Sequence, residues 1–155
     1  MSSRFENWSM PPGKFAEAAL AARLVKLIEQ AGRCSATPDA DEVHDLRVAI
    51  RRFSQALLIF KPLLETRAVK QMRRDLKGVM DAAAAVRDLD VGMERLIAEG
   101  LPENHTILEE MRAERRRGEL ALRGRLLLLE AEEPARIWPA AFQVRQGKAP
   151  RARTS

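Results

Sequence analysis

The chain of 155 residues has no tyrosine, a single cysteine and only 5% aromatic residues. One thiol cannot close an internal disulfide, and it cannot supply a cysteine-based zinc site. Strand-favouring residues are scarce beside Leu, Ala, Glu and Arg, which excludes an all-β fold. Long apolar runs are missing as well. The longest leucine run is Leu126 to Leu129, far short of the roughly 20 residues that cross a bilayer. The opening M-S-S-R-F-E-N-W-S-M lacks the apolar centre of a secretory signal. These absences predict no signal peptide, no membrane span, a cytoplasmic location and a reduced, inert Cys34. No Gly-rich phosphate loop, zinc-ligand spacing or nucleophile motif occurs, so neither an enzyme nor a cofactor is expected.

What is present is charge, and it is unevenly placed. The net charge is +5, from 27 Lys and Arg against 22 Asp and Glu. Of the cations, 21 are Arg and 6 are Lys. Arg keeps its charge at any working pH and offers a planar fork to phosphate or carboxylate. From His44 to Lys77 there are nine cations and three anions, a net of +6. The remainder holds 18 cations and 19 anions, a net of −1. The positive character therefore belongs to one stretch of the chain.

Helical periodicity organises the rest. The reading places a loose arm over Met1 to Gly13, a helical domain over 14–146 and a basic disordered tail over 147–155. Lys14 to Gly32 is predicted as a helix burying Phe15, Ala18, Ala22, Val25 and Ile28, with Gly32 as its stop. After a loop from Ser35 to Ala40, Asp39 or Asp41 caps a second helix with Glu42 in its first turn. That helix runs to Phe60 or Lys61, where Pro62 ends or kinks it. Its stripe is Leu46, Ile50, Phe53, Leu57, Phe60 and Leu64. A third helix is predicted from Ala68 to Arg87 with Met72, Leu76, Val79, Ala83 and Val86 inward. A short fourth covers Leu89 to Glu99. Thr106 and Glu109 form a capping-box pattern opening a long helix that stops at Pro134. Its charged middle, Glu114 to Arg117, suggests that part of it projects or bends. Ala135 to Gln143 forms a last turn anchored by Trp138. The expected architecture is all-α, an antiparallel helical bundle with short loops.

The basic residues fall opposite these apolar stripes. At roughly 100° per residue, Arg47, Arg51 and Gln55 lie within about 60° of His44, while the apolar stripe lies about 160° to 240° round. Arg52 is on the flank, about 80° from His44. On the third helix Lys70, Arg73, Arg74 and Lys77 likewise cluster, with no anion on that face before Asp81. Like charges three or four apart repel and weaken a helix slightly. An ordinary solvated face interleaves acids instead. Two adjacent antiparallel helices would set both ladders along one groove, with rungs about 5.4 Å apart. That suits a polymer of repeating negative charge.

These residues carry a family resemblance. V-H-D-L-R-V-A-I-R-R from Val43 to Arg52, A-L-L-I-F-K-P-L-L from Ala56 to Leu64, Leu76-Lys77, and V-R-D-L-D-V from Val86 to Val91 together resemble the CHAD domain. The resemblance implies an α-helical fold that binds inorganic polyphosphate on basic helical faces. It also implies company with CYTH-type triphosphate-processing domains or polyphosphate granules. It points to His44, Arg47, Arg51, Arg52 and Lys77 as phosphate contacts, with Arg73, Arg74 and Lys70 added by the helical ladder. His44 would act as a donor whose positive charge rises when phosphate binds. Two departures stand out. Phe53-Ser54 follows the Arg pair where the family often has another cation. The family's second His/Arg-rich motif is also missing, so the chain resembles the first half of the domain, and a homodimer is one way to rebuild two bundles.

Other readings remain open. Basic ladders bind any phosphate backbone, and the tail K-A-P-R-A-R would help a nucleic-acid-binding protein. Against it, interleaved aromatics and a recognition-helix motif are absent. A small all-helical enzyme holding a dianion, as chorismate mutases do, would use Arg and Lys electrostatically, but the ladder exceeds that need. Arg87, Asp88 and Asp90 invite a metal reading. Hard cations need more oxygen ligands than two acids supply, so structural pairing at a helix junction is expected. His105 is read as a loop residue.

Overall fold

The computed structural model describes residues 10–143. Among them there is no strand. The helices are α1 (Pro12–Ala36), α2 (Ala40–Phe60), α3 (Thr66–Ala98), α4 (Thr106–Ala131) and the short α5 (Pro134–Ile137). Two 3-10 turns, Lys61–Leu63 and Trp138–Phe142, complete the order. The chain is all-α, as its composition and periodicity predict. Consecutive helices pack on one another, and the closing segment returns to α1.

Local chemistry explains most boundaries. Pro12 occupies the first turn of α1, where its missing N–H costs nothing. The helix therefore begins inside the predicted arm; residues 1–9 of that arm and the tail from 147 lie outside the described residues. Gly32 does not stop α1, which continues to Ala36 before Pro38. Asp39 caps α2, its side chain accepting from the Glu42 N–H at 2.9 Å, with Asp41 and Glu42 in the favourable first turn. Pro62 sits in the 3-10 turn that ends α2. The cap of α4 is His105 rather than Thr106. Its Nδ1 accepts from the Ile107 N–H at 3.1 Å.

Two further expectations are corrected. α3 is one helix of 33 residues, about 50 Å long at the α-helical rise, not two helices meeting near Asp88. Nothing between Arg87 and Asp90 breaks a helix. On α1 the buried face is Ala16, Leu20, Leu24, Leu27 and Cys34. Phe15 and Val25 instead stand 44% and 58% exposed. Both stripes have helical spacing, and the leucine-rich one is the one that packs.

The core joins α1 through α4. Leu46, Ile50, Phe53 and Leu57 of α2 pack with Met72, Leu76, Val79, Ala83 and Val86 of α3. Phe53 anchors the closing segment: it stacks on Trp138 at 5.8 Å and meets Phe142 at 6.0 Å. Burial and the charges of Glu42 and Asp39 push the Cys34 thiol up from 9.0 to about 11. It is buried and stays a thiol. α3 and α4 approach closely at Gly118, where a Cβ would lie 3.1 Å from Val86 Cγ2. Leu108, though buried, lies outside the main cluster.

Arg115 straps that hairpin to the α1–α2 loop. Its Nε donates to Asp90 Oδ1 at 2.5 Å, and its Nη2 donates to Asp90 Oδ2 at 3.2 Å and to the Pro38 carbonyl at 3.0 Å. Nη1 pairs with Glu119. The Arg115 and Asp90 side chains are 15% and 11% exposed, so each depends on the other. Asp90 has a structural role, as expected, but within a continuous helix. Arg115→Met should lower unfolding free energy by about 3 kcal/mol, because Asp90 would stay buried without its partner. Urea denaturation measures this; a loss below about 0.5 kcal/mol, the scale of a surface change, would contradict it.

Candidate functional site

The apolar seam between α2 and α3 decides what faces solvent. With Ile50 and Leu76 turned inward, the residues one step round each helix line an open groove of about 600 Å³. Its cations are Arg51 from α2 and Arg73, Arg74 and Lys77 from α3; Asp81 is the one carboxylate of the lining. Ser54 and Gln55 add neutral polar groups, and Leu58 and Met80 add apolar lining. Among the described residues, Arg51, Arg73 and Arg74 form no ion pair. Lys77 pairs with Asp81 at 2.8 Å, but both side chains are largely exposed. Such a pair is worth about 1 kcal/mol at most, so a phosphate oxygen competes easily for the ammonium.

The predicted residues divide by position. The structure brings Arg51, Arg73, Arg74 and Lys77 into one groove. His44 is exposed on α2 about 10 Å along the axis from Arg51. It does not line the groove, and neither does Lys70, which lies beyond the other end on α3. Arg47 is half-buried, and its Nε has no hydrogen-bond partner. Arg52 does not share the groove. One residue after Arg51 and about 100° further round, it lines the seam between α1 and α2 with Arg23, Lys26 and Arg33. The sequence reading missed those three α1 cations. Their recurrence at intervals of three and seven residues was the available signal.

An acid pair sits behind the α3 row. Asp75 Oδ1 accepts from Gln71 Nε2 at 3.0 Å. Its Oδ2 is buried and lacks a donor. The Glu132 carboxyl at the end of α4 is the group beside it, and it can donate only when protonated. That hydrogen bond, with burial and the Asp75 charge, pushes Glu132 up from 4.5 to about 7. Among the described residues no group of three or more metal-ligating side chains comes together, and no helix is long and apolar enough to cross a membrane.

Among the described residues the chain is an all-helical bundle with four cations lining an inter-helix groove. The CHAD domain family model matches residues 18–150, so the chain belongs to the CHAD family, which is associated with polyphosphate binding. The match extends beyond both ends of the Val43–Val91 stretch. No curated protein and no solved structure matches the chain.

The Glu132 pair makes stability depend on pH. The folded form holds a proton that the unfolded form releases above about pH 4.5, so this stabilisation is complete below that pH and is lost as pH rises through about 7. Glu132→Gln donates at every pH. Denaturation curves should show wild type losing stability relative to Glu132→Gln between pH 4.5 and 7. Parallel curves would exclude the shared proton.

Proposed function

We propose that the chain is a non-enzymatic polyphosphate-binding module whose α2–α3 groove holds the phosphate chain. The observation that supports this reading most is the groove itself: three arginines and a lysine face one opening with a single carboxylate among them. Each Arg fork can take two phosphate oxygens, and Lys77 supplies a mobile point charge. The ladder continues off the groove's ends through Arg47 and His44 on one side and Lys70 on the other, in keeping with a ligand longer than the groove. No base-stacking platform is needed for such a ligand, and the low aromatic content agrees.

Wider context belongs to the same proposal. A homodimer would place two such bundles together, and a CYTH-type or granule-associated protein would be a fitting neighbour. The cytoplasm, with its polyphosphate granules, is the corresponding location.

Calorimetric titration with long-chain polyphosphate at two salt concentrations tests the reading. Binding should be tight at low salt and fall steeply as salt rises. It should be lost when Arg47, Arg51 and Lys77 are each replaced by Glu, and duplex DNA at equal phosphate should compete weakly. Equal binding by the triple variant, or displacement by DNA at equal phosphate, would overturn it.

A further inference from the structure

We propose that the seam between α1 and α2 holds a second stretch of the same polyphosphate chain, carried over the α2 ridge by Arg51 and Arg52. The inference rests on the polyphosphate reading above. The seam forms an open groove of about 490 Å³. Arg23, Lys26 and Arg33 enter it from α1 and Arg52 from α2; Glu29 and Asp45 are its carboxylates.

The charge is not spread evenly along it. Arg23 and Arg52 line this groove and also a neighbouring hollow of about 180 Å³ beside Phe15 and Phe60. Sharing two hollows, they sit across the seam from one another. The carboxylates lie nearer the α1–α2 loop, where Gln30 gives its amide to Glu42 at 2.6 Å. The end marked by Arg23, Lys26 and Arg52 is therefore cationic from both helices. All three side chains belong to exposed residues, and none forms an ion pair among the described residues. Like charges facing each other across a seam weaken it slightly, and a bundle with no ligand there gains nothing from the arrangement. A bridging anion reverses the sign.

The ligand class follows from continuity. Arg51 and Arg52 are consecutive, about 3.8 Å apart at Cα, yet one lines the α2–α3 groove and the other the α1–α2 groove. A small anion can occupy one groove only. A chain charged at every unit can pass from one to the other without leaving arginine.

The test compares wild type, Arg23→Gln/Lys26→Gln and Arg116→Gln/Arg117→Gln in calorimetric titrations with long-chain polyphosphate over a salt series. Arg116 and Arg117 are exposed on α4 and line neither groove, so they control for net charge. The α1 variant should bind about tenfold more weakly with a salt slope lower by about 1.4 to 1.8, for the two contacts removed, and the control should stay within about twofold of wild type. Wild-type affinity and slope in the α1 variant would overturn the second groove while leaving the first. An equal loss in the control would overturn it too, as a general charge effect. Failure of wild type itself to bind would instead remove the polyphosphate reading on which this rests.

Discussion

The buried seam between α2 and α3 is the constraint on which the rest depends. Leu46, Ile50, Phe53 and Leu57 are removed from water against Met72, Leu76 and Val79. Each such side chain contributes about 1.5–3 kcal/mol. Once those residues face inward, helical geometry leaves Arg51 on one side of the seam and Arg73, Arg74 and Lys77 on the other. The repulsion among them costs on the order of 0.2–0.5 kcal/mol per pair. Apolar burial thus outweighs charge repulsion severalfold, and the bundle can keep two like-charged rows side by side.

α2 is consequently the central element. Its inner face builds the core with Phe53 at the centre of an aromatic cluster with Trp138 and Phe142. Its two outer flanks supply one arginine to each neighbouring groove. The long α3–α4 hairpin does different work. It carries the second basic row at one end, and at the other it is tied to the α1–α2 loop through Arg115, Asp90 and the Pro38 carbonyl. That tie fixes the far part of α3 relative to the start of α2.

Much of this was legible in the sequence because it is local. The stripes of α2 and α3, the Asp39 cap, the Pro62 break and the Trp138 anchor all follow from spacing and residue type within a few turns. The cationic rows follow from the same periodicity, so four of the eight candidate residues meet in the α2–α3 groove. What was not legible depends on partners distant in sequence. On α1 two apolar stripes compete, and only the packed bundle selects Leu20, Leu24 and Leu27 over Phe15 and Val25. Arg115 reaches Pro38 across 77 positions, which no local pattern reveals. Arg52 adjoins Arg51 in the motif and lies on the helix flank, and the step of about 100° between them sends the two to different seams. The α1 cations went unnoticed because they become a group only when α2 packs beside them.

The CHAD family membership and the geometry support the proposed account, in which a polyanion would bridge cations that repel one another in the free bundle. Thermal unfolding with and without long-chain polyphosphate tests that claim most directly, on wild type and on Arg51→Gln/Arg73→Gln/Arg74→Gln. The account predicts that the variant melts at or above the wild-type temperature without ligand, since repulsion is relieved. Polyphosphate should then raise the midpoint of wild type by several degrees and leave the variant's nearly unmoved. A variant that melts well below wild type without ligand, or an equal polyphosphate-dependent rise in both proteins, would contradict it.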